Sequence, residues 1–225
     1  MKKISRLFML MIITLVTYSA SAASSKIGIL VFDKVLTSDV TAPIEVFGAA
    51  SKKSWFSDYE VTVISVGKKQ ITTEEGLKLL ADKTINDDIK LDVLLVPSAY
   101  EMKPYLNNKK LIQYIKQKSK EVEVVWIGSN CSGAFLLAEA GILDNVKATT
   151  WAGGESELQD VYPKVKVQFN QNVVVAKNII TSNGGAVSYQ SALVLLEKLS
   201  SKKTALEISE AIQLNRLEQA YAKIK

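Results

Sequence analysis

The run V-E-V-V-W-I-G-S-N-C-S-G-A-F-L-L-A-E-A-G, residues 122–141, decides the fold. Val122, Val124, Val125, Trp126 and Ile127 form a β-branched and aromatic stretch that predicts a buried strand. Gly128, Ser129 and Asn130 read as its break, Ser132 to Ala140 as a helix, and Gly141 as the helix stop. Cys131, the only cysteine, thereby falls between a strand end and a helix N-terminus. Unpaired N–H groups and the helix dipole favour a thiolate at such a position. The backbone N–H of Ser132 can face an anion forming on whatever the sulfur attacks. From spacing alone a buried, inert structural cysteine is an equal reading.

Outward from this run, strands and helices alternate. Lys26 to Phe32 (K-I-G-I-L-V-F) and Leu91 to Pro97 (L-D-V-L-L-V-P) are apolar enough for burial on both faces, as inside a parallel sheet. Tyr59 to Val66 reads as a strand, followed by a short hairpin around Leu77–Ala81. A helix is predicted from Thr41-Ala42-Pro43, with Pro43 in its first turn. Another runs from about Asn108 to Lys120, with Leu111, Ile112 and Ile115 on one face. Lys147 to Thr150 reads as a short strand, Glu155 to Val161 as a short helix, and Val165–Phe169 with Val173–Ala176 as a hairpin. Asn178 to Ser182 then leads through Gly184-Gly185 into a long helix carrying Tyr189, Ala192, Leu193, Leu196 and Leu199. A last helix is predicted from about Thr204 to the C-terminus.

This alternation specifies an α/β class, a mainly parallel sheet covered by helices on both faces. Ligands in such sheets bind beyond the carboxyl ends of the strands. The turns after Phe32, Pro97 and Ser129 therefore converge on one crevice. Gly153-Gly154 and Gly184-Gly185 lack the spacing and lysine of a phosphate loop and read as turns.

Residues 1–22 read as a signal peptide. Lys2, Lys3 and Arg6 precede the uncharged run Leu7 to Val16, and Ala20-Ser21-Ala22 supplies a small-residue cleavage pattern. The expectation is a periplasmic or secreted protein after cleavage near Ala22, with residues 23–225 as a single domain and no stable membrane anchor. Those three basic residues account for three of the five net positive charges, so the remaining +2 gives no case for nucleic acid. One cysteine excludes an internal disulfide. The chain has no histidine, which removes a Cys–His dyad, a His-ligated metal and an imidazole base together. No metal and no cofactor are expected.

Asp39, in S-D-V-T-A-P-I-E-V-F, is the carboxylate to set beside the thiol. With Pro43 opening the helix, Asp39 falls in the loop after the first strand; a solvated loop acid or an early cap is the alternative. V-F-D-K-V, D-V-T-A-P-I-E-V-F-G, D-V-L-L-V-P, S-N-C-S-G-A-F-L-L-A-E-A-G-I-L, A-T-T-W and N-I-I-T-S, in this order, resemble the ThiJ/PfpI superfamily of class I glutamine-amidotransferase-like proteins. They are similar in particular to its isonitrile-hydratase-like branch and to the ligand-sensing halves of some transcription regulators.

The resemblance implies a flavodoxin-like sandwich, a homodimer and a small-molecule substrate or ligand. It implies that Cys131 is a nucleophile on a strained elbow and that Asp39, four residues before Pro43, is its acid/base partner. It further implies a raised pKa for Asp39 and a lowered one for Cys131. Ser132, Ser98, Ala99 and Trp151 fall at positions for oxyanion stabilisation or substrate binding. Family members usually carry Gly-Gly where this chain has Ser98-Ala99, and many carry His in place of Trp151. A Cys–His hydrolase or protease is thus not supported. The function expected is an exported cysteine-dependent enzyme of the isonitrile-hydratase type. A non-catalytic ligand-binding or redox-sensing member of the superfamily is the alternative.

Overall fold

The computed structural model describes residues 24–53, 58–121 and 123–217. The expected signal peptide, Val122 and the end of the last predicted helix lie outside these residues. In chain order the elements are β1 (Ser25–Val31), α1 (Thr37–Lys53), β2 (Tyr59–Ser65), β3 (Gln70–Thr72), β4 (Lys78–Leu80), β5 (Lys83–Thr84), β6 (Val93–Val96), α2 (Lys103–Leu106) and α3 (Lys109–Lys118). There follow β7 (Trp126–Asn130), α4 (Gly133–Glu139), β8 (Lys147–Ala148), α5 (Glu155–Val161), β9 (Lys166–Val167), β10 (Val173–Ala176), β11 (Ile179–Ser182), α6 (Val187–Leu199) and α7 (Lys202–Ala211).

The main sheet has the order β10-β11-β7-β6-β1-β2-β5, parallel except for the antiparallel pair β10–β11. In β1, Ile27, Ile29, Leu30 and Val31 are fully buried, as a strand enclosed on both faces requires. The chain moves one way along the sheet from β1 to β2 and the other way from β6 to β7. Right-handed crossovers therefore put α1 on one face and α3 on the other. α6 packs on α1 and α7 on α6, while α3 packs on α4. The direction reverses between β1 and β6, so the switch-point crevice opens above their carboxyl ends, next to β7.

Four sequence expectations need correction. Gly128, Ser129 and Asn130 do not break the central strand but form its second half, paired to Leu95 and Val96 on one side and to Ile180, Thr181 and Ser182 on the other. Two neighbouring strands supply backbone partners that override weak strand propensity. Val124 and Val125 precede the strand.

α1 begins at Thr37, so Asp39 lies in its first turn and Pro43 inside the helix. The anticipated hairpin does not form: Lys166–Val167 pairs in parallel with Lys147–Ala148, and Val173–Ala176 pairs with Ile179–Ser182. A two-residue turn at Lys177 (φ 55°) and Asn178 closes that second pair. α2, a single turn after Met102, was not anticipated.

Candidate active site

Cys131 follows the last residue of β7 with φ 50°, a left-handed conformation that costs a non-glycine residue about 1–3 kcal/mol. Its surroundings hold it there. The Cys131 N–H donates to the Ser182 carbonyl (2.8 Å), and the Cys131 carbonyl accepts from Thr150 Oγ1 (2.9 Å). Asn183 Nδ2 in turn donates to the Thr150 carbonyl (2.5 Å). Gly184, at φ 76°, lies so close that a Cβ there would overlap Cys131 Cβ and stand 3.1 Å from Asp39 Oδ1. One glycine thus touches both the thiol residue and the acid.

Asp39 is 1% exposed. Pro43 has no N–H to offer the carbonyl four residues earlier, which is that of Asp39. Asn130 Nδ2 supplies a long substitute contact to this carbonyl (3.5 Å), and Asn130 Oδ1 accepts from Ser182 Oγ (2.6 Å). The helix runs through the proline, and the Asn130 contact links its first turn to β7 beside the cysteine.

The Asp39 carboxyl accepts four hydrogen bonds. Oδ1 takes the Gly185 N–H (3.2 Å) and Ser188 Oγ (2.8 Å); Oδ2 takes the Ser98 N–H (3.1 Å) and Ser98 Oγ (2.5 Å). Burial pushes its pKa above the ordinary value, and the four donors only partly offset this.

Burial also pushes the Cys131 thiol up, and the charge of Asp39 pushes it further. The Ser98 hydroxyl and the N–H and hydroxyl of Ser132 act in the opposite sense. This corrects the expectation of a lowered thiol pKa. A seven-residue helix offers a modest dipole, and desolvation beside a carboxylate outweighs it. The Asp39 charge thus resists ionisation of the thiol.

The remaining expected site residues divide. Ser98 is fully buried and directs both its amide and its hydroxyl at Asp39, so it is not an oxyanion donor facing the crevice. The Ala99 N–H points to Met102 Sδ (3.2 Å), a weak acceptor. Ser132 Oγ donates to the Ala99 carbonyl (3.0 Å) instead of capping α4.

Ser132 and Trp151 line an open cleft of about 410 Å³ with Tyr100, Met102, Phe135 and Glu157. Trp151 stacks on Phe135 (5.3 Å between centroids, 24°) as the aromatic wall of that cleft. Asn130, Thr150, Gly185 and Ser188 complete the site and were not anticipated from sequence. The signal that could have found Gly185 and Ser188 was their place just after the carboxyl end of a parallel strand.

The model of the DJ-1/PfpI family matches residues 25–198. Isonitrile hydratase of Pseudomonas putida is 27% identical over 199 residues, spanning 88% of this chain and 78% of that protein. The HTH-type transcriptional regulator CdhR of Pseudomonas aeruginosa is 26% identical over 159 residues, 71% of this chain but 46% of the regulator. A ThiJ/PfpI family protein from Pseudomonas syringae superposes with a TM-score of 0.74 at 19% identity, covering 84% of this chain and 75% of that one.

Proposed function

The chain belongs to the DJ-1/PfpI family, and from that premise we propose that it is a cysteine-dependent hydratase of small isonitriles, with Cys131 as nucleophile and Asp39 as acid and base. The observation that carries the reading is a buried carboxyl with a raised pKa packed beside a cysteine on a strained elbow, beyond the carboxyl ends of β1 and β7, the two strands that flank β6. The 27% identity to an isonitrile hydratase supports the choice of substrate class.

The Cys131 S–H adds across the terminal carbon of R–N≡C: the sulfur bonds to carbon, and the proton reaches the same carbon from the acid. The product is a thioimidate, R–N=CH–S–Cys131. Water then adds to this carbon, giving up a proton to Asp39, and the C–S bond breaks to release R–NH–CHO and the thiol. Adding a thiolate to an isonitrile carbon calls for a proton donor before it calls for an oxyanion hole. Commitment of the Ser98 amide to Asp39 therefore harms this reaction less than acyl transfer, where one lost donor costs about 10²–10³ in rate. The Trp151–Phe135 wall suits an apolar substituent R.

Export and a homodimer belong to the same proposal, the first resting on the Ala20-Ser21-Ala22 pattern and the second on family resemblance. An intact mass beginning at Ala23 in the exported fraction tests the former, and light scattering tests the latter. The activity itself is tested by supplying simple alkyl and aryl isonitriles and measuring the N-substituted formamide. Formation by wild type and loss in Cys131→Ser is expected; no formamide above the uncatalysed background refutes the proposal. The non-catalytic, ligand-binding reading then takes over, favoured by the same commitment of the Ser98 amide.

A further inference from the structure

We propose that Thr150 is a positioning residue for the nucleophile: its hydroxyl anchors the Cys131 carbonyl and so fixes the direction of the Ser132 N–H beside the sulfur. The role rests on the reading of Cys131 as the nucleophile, but its geometry is independent of any substrate.

The other amides expected near the reacting centre are spent. The Ser98 N–H donates to Asp39, and the Ala99 N–H points to Met102 Sδ. The Ser132 N–H is left. It precedes the first residue of α4, and among the described residues it donates to no oxygen. Ser132 also lines the cleft. Covalent connection alone keeps this nitrogen next to the sulfur, since both hang from the Cys131 Cα. What connection leaves open is where the N–H points. A trans peptide is a rigid plane in which the carbonyl of one residue and the N–H of the next face opposite ways. Whatever holds the Cys131 carbonyl therefore aims the Ser132 N–H.

That carbonyl accepts from Thr150 Oγ1 at 2.9 Å and, at a longer 3.3 Å, from the Ala134 N–H. Thr150 is itself pinned. It is fully buried, its own carbonyl accepts from Asn183 Nδ2 (2.5 Å), and the Thr149 N–H before it donates to Thr181 Oγ1 (2.8 Å). The Cys131 N–H donates to the Ser182 carbonyl. Thr181 and Ser182 end β11 and Asn183 follows it, so both ends of Cys131 are held from the carboxyl end of one strand. Without the Thr150 hydroxyl only the longer Ala134 contact remains on the carbonyl. The peptide plane is then free to turn and relieve the left-handed strain at Cys131. The sign of the consequence follows from charge. An N–H aimed at the sulfur favours the thiolate, in keeping with the Ser132 N–H holding the thiol pKa down.

The test is the rate of Cys131 alkylation against pH, read by intact mass with Cys131→Ser as blank. Thr150→Val keeps the side-chain shape without the hydroxyl, Thr150→Ala removes any crowding as well, and Thr150→Ser keeps the hydroxyl; a thermal melt selects the folded variants. Val and Ala are expected to raise the midpoint of the profile by about one unit, a tenfold slower reaction below it. Thr150→Ser is expected to stay within about twofold of wild type by the same conversion. An unmoved midpoint in the folded hydroxyl-less variants overturns the proposal, as does a Thr150→Ser profile that matches theirs. A lower plateau rate at an unchanged midpoint overturns it too, because the substitution then alters access to the sulfur and not its ionisation. Absence of formamide from wild type would refute the hydratase reading, while these profiles, taken without isonitrile, still decide the role of Thr150.

Discussion

Substituting the two adjacent glycines by alanine separates backbone strain from crowding at the site. Gly184 and Gly185 both have positive φ, 76° and 60°, where a Cβ costs roughly 1–2 kcal/mol. They differ in what that Cβ would meet. At Gly185 nothing lies within 4 Å, so Gly185→Ala should lose only the backbone amount. At Gly184 the new atom would overlap Cys131 Cβ, with Cys131 N at 3.0 Å and Asp39 Oδ1 at 3.1 Å. None of these neighbours is the far end of a flexible side chain, so an overpacking cost of about 1–3 kcal/mol is added. Gly184→Ala should therefore lose roughly 2–5 kcal/mol in all, a large share of the 5–15 kcal/mol that stabilises an ordinary domain. Urea unfolding of both variants gives the two values, and alkylation of Cys131 shows whether the elbow has moved. Equal losses for the two substitutions, or an unchanged alkylation rate in Gly184→Ala, would refute the packing argument.

Asp39 should leave a signature in the pH dependence of stability. Its folded pKa lies above the unfolded one, so its contribution is fully present below the unfolded value and is lost as pH rises through the raised folded value. The difference in unfolding free energy between wild type and Asp39→Asn should fall across that window; parallel profiles would contradict the raised pKa. Asn130→Ala leaves the Asp39 carbonyl and Ser182 Oγ without their partner and should cost about 1–3 kcal/mol in urea unfolding, whereas a neutral effect would show that Pro43 needs no substitute donor. Trp151→Ala opens one wall of the cleft and should raise KM for isonitriles with apolar substituents while leaving kcat within a few-fold. A fall in kcat at unchanged KM would place Trp151 in the chemistry instead.

The cysteine at the strand–helix junction was legible because β-branched residues, a lone thiol and an apolar helix follow one another within twenty positions. Asp39 was legible as a residue but not in its element. Proline normally opens a helix, whereas here it sits inside α1, and the donor that approaches the carbonyl it leaves free comes from a side chain 91 positions away. The Ser98-Ala99 departure was visible, but the direction of a peptide plane is not a property of residue type. Only the folded chain shows that the Ser98 amide turns toward the acid. Gly184-Gly185 reads as a turn in the sequence, and the chain does turn there ahead of α6. What sequence could not supply was that the turn closes over Asp39, from nearly 150 positions away. The supposed hairpin failed for a related reason, since alternation identifies a strand without identifying its partner.

The central claim is that Cys131 forms a covalent bond to the isonitrile carbon and that Asp39 moves the protons. It is tested most directly by acid-quenching the protein during reaction with an isonitrile and measuring the intact and peptide masses. The account predicts a gain equal to one whole isonitrile, confined to the peptide containing Cys131, absent in Cys131→Ser and formed more slowly in Asp39→Asn. Formamide accumulating at the wild-type rate in Cys131→Ser, or an adduct indifferent to Asp39, would contradict it.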